Sequence, residues 1–146
     1  MGETLAQTIC KDKIEYKPGY WFNSAKFFDI EYQTYGWVWS IPKENESRFY
    51  WEHSSSKKCI HLSYNANTKE FIGINTFGIR MRHDFFDKIL TQKKSIIYVL
   101  EHLSDANFDP EFYNTYEKEI IAKFNNENNT QLISRRKSWK RIFSKS

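Results

Sequence analysis

Glycine is scarce in this chain, with five among 146 residues, and no two of them are spaced as a GxGxxG or P-loop phosphate cradle. The sequence therefore excludes a self-contained dinucleotide or triphosphate loop. Cysteine is scarcer still: Cys10 and Cys59 lie far apart and form no CxxC pair. That argues against a disulfide framework and points to idle thiols in a reducing compartment, the cytoplasm. No apolar run reaches the roughly 18 residues that a membrane-spanning helix needs. Met1-Gly2-Glu3-Thr4-Leu5-Ala6 has no basic region leading into an apolar core, so no secretory signal is expected. HExxH and GxSxG are missing too. The four histidines, His53, His61, His83 and His102, have no metal-ligand spacing on one helix face and read as structural side chains.

What is present argues for a folded domain. A hydrophobic fraction of 40% and an aromatic fraction of 18% suit a globule with one core, not a disordered chain. The net charge of +4 is uneven. From Asn128 onward there are six cations (Arg135, Arg136, Lys137, Lys140, Arg141, Lys145) and no acidic residue, so the rest of the chain carries −2. The basic balance belongs to the tail. The body is mildly acidic and does not read as a nucleic-acid-binding surface.

The pattern along the chain is strands first, then helices. Glu3 to Ile9 has Leu5, Ala6 and Ile9 at helical spacing, either the end of a longer helix or a short one of its own. Glu15 to Ser24 is a connector with a Pro18-Gly19 turn. Lys26 to Tyr35 alternates with period two and predicts one half-buried strand, with Phe28, Ile30, Tyr32 and Thr34 on one side. Trp37 to Ile41 predicts a further strand or its continuation, stopped by Pro42. Arg48 to His53 is the next strand. Lys58 to Leu90 organises the whole: a strand over Cys59–Tyr64, an Asn65–Thr68 turn, a return strand over Glu70–Phe77 and a helix from Arg82. Gly73 in mid-strand predicts a bulge or the close approach of another backbone. A second helix starts at Ser95 as N-cap. A third starts at Asp109-Pro110-Glu111 and runs to about Asn125, burying Phe112, Tyr113, Tyr116, Ile120 and Phe124. The fold class expected is α+β: an antiparallel sheet covered on one face by helices.

Three groups carry polar chemistry. Arg80-Met81-Arg82-His83-Asp84 can bind a phosphate or carboxylate at a helix entry, or serve an otherwise untraced enzyme site; the plainer reading pairs its arginines with Asp84, Asp87 or glutamates on neighbouring elements. Glu101, His102 and Asp105 read as a solvated helix face more than as an acid–base pair. The tail mixes Arg135, Arg136, Lys137, Lys140 and Arg141 with Leu132, Trp139, Ile142 and Phe143, which suits an anionic membrane surface or an acidic partner if helical, and a solvated terminus otherwise.

MGETLAQTI followed by YKPGYWFNSAKFFDIEYQTYG resembles the end of the FAD-binding region of NAD(P)/FAD-dependent oxidoreductases of the pyridine nucleotide–disulfide reductase superfamily, running into their C-terminal interface, or dimerisation, domain. The hairpin and helix of Lys58–Leu90, with the apolar-Gly-apolar strand Ile72-Gly73-Ile74, look like the recurring unit of that domain. The likeness spans nearly all of residues 1–125. It implies residues 1–24 as the end of an FAD-domain helix and its linker, 25–125 as an α+β interface domain and 126–146 as a basic tail. It implies FAD and NAD(P) for a parent enzyme, though this chain alone is expected to bind neither, and as partner an FAD/NAD-binding domain or subunit, or a second copy. Phe108-Asp109-Pro110-Glu111 stands where the disulfide-reductase branch has His-Pro…Glu, and the missing histidine argues against a thiol-reducing role. The expected function is a non-catalytic interface domain or fragment. The alternative is a stand-alone α+β binding module, membrane-peripheral through its tail.

Overall fold

A computed structural model describes residues 2–17, 19–108 and 114–135. Five antiparallel strands form one sheet: β1 (Phe22–Phe27), β2 (Ile30–Gly36), β3 (Glu46–Glu52), β4 (Cys59–Asn65) and β5 (Phe71–Phe77). Their order is β1-β2-β5-β4-β3, which puts the last strand in the centre. Among the described residues four helices accompany it: α1 (Gly2–Cys10), α2 (His83–Thr91), α3 (Ile96–Glu101) and α4 (Glu117–Asn128), with a 3-10 turn at Leu103–Ala106. The fold is α+β, as the pattern of strands then helices predicts.

The strand register decides which side chains form the core. Leu62 opposes Ile74 and Phe49, while Ile60 opposes Trp51. Tyr35 opposes Ile74 on the other side of β5. These side chains are buried and meet Phe86, Ile89, Val99, Leu100, Ile120 and Phe124 from the helices. Phe124 of α4 packs edge-on to Phe49 at 5.1 Å, and Phe86 of α2 stacks on Tyr35 at 4.7 Å. Each such apolar side chain contributes about 1.5–3 kcal/mol on leaving water. The helices α2, α3 and α4 thus cover one face of the sheet.

Several predicted boundaries shift. Lys26 to Tyr35 is not one strand but a hairpin, turning at Phe28-Asp29. Phe28 adopts a left-handed φ of 53° and is 97% exposed. No glycine or asparagine marks that turn, so unbroken alternation hides it. Residues 22–24 belong to β1 and not to the connector. In β2 the core side is Gln33 and Tyr35, while Ile30, Tyr32 and Thr34 face away from the helices. Residues 114–116 are not helical and α4 begins at Glu117, later than the Asp109 start predicted. The predicted cap at Asp109-Pro110-Glu111, with Phe112 and Tyr113, lies outside the described residues. The helix α3 keeps its predicted cap: Tyr98 N–H donates to Ser95 Oγ at 3.2 Å.

Residues 37–41 are not a strand. After Gly36, at φ +67°, the chain leaves β2 and crosses the face away from the helices on its way to β3. A Cβ on Gly73 would lie 2.5 Å from Trp37 N and 2.6 Å from Trp37 O. The predicted close approach at Gly73 is therefore this crossover, and only a glycine leaves room for it.

Candidate functional site

Arg80, Arg82 and His83 come together in one cleft of about 460 Å³, whose walls include Phe22, Tyr35 and Phe108. The local chain explains the placement. Met81 N–H donates to Gln33 Oε1 at 2.8 Å, and Tyr35 O–H donates to Met81 O at 2.9 Å. These two bonds pin the residue between the arginines to β2. Burial, with the nearby Glu31 carboxylate, raises the Tyr35 hydroxyl pKa, so it stays a donor. Arg82 N–H donates to Ala106 O at 2.7 Å, which ties the entry of α2 to the 3-10 turn.

Of the two readings of the cluster, Arg80 follows the plainer one. It pairs with Glu31 of β2 at 3.5 Å and lies over the Phe108 ring at 4.0 Å from its centroid. The partner is Glu31, not Asp84 or Asp87. Both ends of that pair are partly exposed, so it contributes little. Arg82 stands at the N-cap of α2 and no side chain caps that helix. The His83 ring packs on Phe22 at 4.3 Å. Glu31 and Asp84 also line the cleft, so its charge is close to balanced. A mixed polar contact fits this arrangement better than a phosphate cradle does.

No protein-family model and no curated protein matches the chain. The oxidoreductase resemblance therefore rests on the sequence motifs alone.

The remaining predicted groups separate. Glu101 pairs with Arg135 at 3.2 Å, while His102 Nδ1 lies 2.9 Å from Tyr98 O, so the two do not form an acid–base pair. Among the described residues no group of three or more His, Cys, Asp and Glu is placed to hold a metal ion. Both cysteines are free. Burial raises the Cys59 thiol pKa, which works against reactivity. Arg136, Lys137, Trp139, Lys140 and Arg141 lie outside the described residues. Leu132 is not part of an exposed apolar flank: it packs partly buried against the core.

Two surfaces emerge that the sequence reading did not single out. The first is a column of indoles. Trp21 and Trp37 stack at 5.9 Å, Trp37 and Trp39 at 5.1 Å, and Lys43 Nζ sits 3.7 Å from the Trp39 ring centroid. The column is held by a knot at Glu46, whose carboxylate accepts from Arg48 Nε, Ser63 Oγ and Lys43 N–H. Arg48 in turn donates to the carbonyls of Trp39 and Ser40. Burial alone would push the Glu46 pKa up, but these bonds and the Arg48 charge outweigh it and hold the carboxyl below its usual range.

The second surface is the half of the open sheet face that the crossover leaves bare. Register puts Phe27, Ile30, Tyr32, Phe77, Cys59, His61 and Tyr50 on it. Phe27, Ile30, Tyr50 and Phe77 are exposed by 66%, 47%, 44% and 43%, so this face is apolar and uncovered. A shallow cleft of about 260 Å³ between Ile30, Tyr50 and Phe77 is rimmed by Lys57 and Lys58. The spacing of Phe27, Ile30 and Phe77 in sequence gives no hint that they meet.

Proposed function

We propose that the chain is the interface domain of an FAD-dependent NAD(P)H oxidoreductase, a part that docks on a flavin-binding domain or a second subunit and does not catalyse alone. The uncovered apolar half of the sheet supports this reading. Exposed apolar side chains on three neighbouring strands, Phe27, Ile30 and Phe77, cost solubility and are kept where a partner covers them. FAD and NAD(P) belong to the partner domain, since no glycine-rich phosphate cradle is present in the sequence. The setting is the cytoplasm, where Cys10 and Cys59 stay reduced.

The test is purification of the tagged chain from its native source, beside the isolated recombinant chain. The native complex is expected to carry flavin absorbance and the isolated chain none. Phe77→Glu, which charges the open face, is expected to release the flavin-bearing partner. Stoichiometric flavin on the isolated chain, or a native complex indifferent to Phe77→Glu, overturns the reading.

A further inference from the structure

The fold leaves one half-buried acid without a cation. Asp87 stands one turn after His83 on α2, so the two side chains share a face of that helix. Arg80 is taken by Glu31, and among the described residues the Asp87 carboxylate makes no ion pair and no hydrogen bond. It lies in a second cleft, of about 400 Å³, walled by Tyr20, Trp21, Phe22 and Trp37 with His83. That volume is within the range of small-molecule sites, roughly 300–1,000 Å³. The backbone holds the walls in place. Gly36 N–H donates to Trp21 O at 2.8 Å, and Trp37 N–H donates to Ile72 O at 3.1 Å. Asp87 Oδ1 is brought beside the Gly19 turn, where a Cβ on the glycine would stand 3.9 Å from it. Phe22 is held by Tyr35 at 5.0 Å and by the His83 ring at 4.3 Å. Tyr20 has no ring contact among the described residues, and Trp21 stacks on Trp37 alone. Both are exposed, so both keep aromatic surface for a ligand.

We propose that this cleft binds a quaternary ammonium group. Aromatic faces attract a cation through the ring quadrupole, and the Asp87 carboxylate beside them adds a full opposite charge. The chemistry selects among ligands. A neutral ring could stack here, but it would leave the carboxylate unpaired as water is displaced. An anion is repelled, because the described lining holds Asp87 and neither lysine nor arginine. A primary ammonium must shed tightly held water and find acceptors for three N–H groups. A quaternary nitrogen has no N–H to satisfy and buries its methyl groups against the rings. This inference stands apart from the docking reading, because it uses none of the open-face residues.

The experiment titrates the full chain with choline, followed by tryptophan fluorescence and by calorimetry. The uncharged counterpart with carbon in place of nitrogen, a neohexyl alcohol, is expected to bind about ten-fold more weakly or worse. Asp87→Asn keeps the shape and is expected to weaken choline binding by a similar factor, as is Trp21→Ala. The comparison of choline with its neutral counterpart needs no variant, so it decides the matter even where a variant fails to fold. A peptide carrying trimethyllysine separates the sources of the group. Tighter binding than choline assigns the cleft to a methylated side chain, and weaker binding assigns it to a free small molecule. Three results overturn the site: no saturable binding of either cation, equal binding of the neutral alcohol, or a folded Asp87→Asn chain that binds choline as the parent does. Failure of flavin-domain docking would change none of these readings.

Discussion

At the scale of single residues, the open face is governed by contacts that admit no substitute. Gly73 lies under the Trp37 backbone, so a methyl group there meets main-chain atoms that cannot move aside. Gly73→Ala is expected to destabilise the fold by about 2–4 kcal/mol, read as a lower denaturant midpoint. A second residue-scale effect concerns pH. Burial, with Arg48 nearby, lowers the His61 pKa in the folded state, although Glu46 opposes this. The unfolded chain then binds more protons than the folded one between about pH 6.5 and the lowered folded value. Stability is therefore full above that window and falls as pH drops through it. The depressed Glu46 carboxyl adds a further loss at more acid pH, below its ordinary value. His61→Gln is expected to flatten the stability curve between neutral pH and mild acid while leaving the deeper acid loss in place. Urea titrations across pH check both windows.

At the scale of elements, the helices differ in how they are held. The helix α1 buries no residue and leaves Leu5 61% and Ile9 73% exposed. Nine residues are too few to hold a helix by themselves in water. Removing residues 1–10 is expected to leave the unfolding free energy of the remainder within about 0.5 kcal/mol. The helix α4 is different, because the segment that follows it adds to the core. A chain ending at Asn129 loses Leu132 and the three Asn125 side-chain bonds and is expected to lose roughly 1–3 kcal/mol. Thermal melts of the three chains separate these outcomes. The Cys59–Phe77 hairpin and the Ser95 cap are legible because asparagine turns and N-caps have local chemistry. The Phe28-Asp29 turn is not legible, because the left-handed residue there is a phenylalanine. The segment after Gly36 has the aromatic look of a strand, yet its tryptophans stack on one another instead of entering a ladder.

At the scale of the molecule, the sheet has one face in the core and one divided between a crossover and open apolar surface. Phe77→Glu sits on that open surface. It is expected to cost only about 1–2 kcal/mol, since the ring is partly exposed though packed on Tyr32, while abolishing partner docking. Equal loss of both in denaturation and co-purification assays would mean that Phe77 serves the fold and not an interface. The helix-entry cluster fits the same frame. Arg80 and His83 spend their contacts on Glu31, Phe108 and Phe22, which leaves Arg82 as the more available of the two arginines. Residue identities alone picked out the group, but only the tertiary neighbours divide its members between structure and contact.

The sequence by itself determined the α+β class, the central hairpin, the glycine that a crossing backbone requires and the charge split between body and tail. These follow from local chemistry and composition, which need no partner. Only the tertiary structure decided the strand order, the hairpin at Phe28, the tryptophan column and the open apolar half of the sheet. Each of those depends on which strands pair and in what register, and a shift of one residue would exchange the buried side chains for the exposed ones.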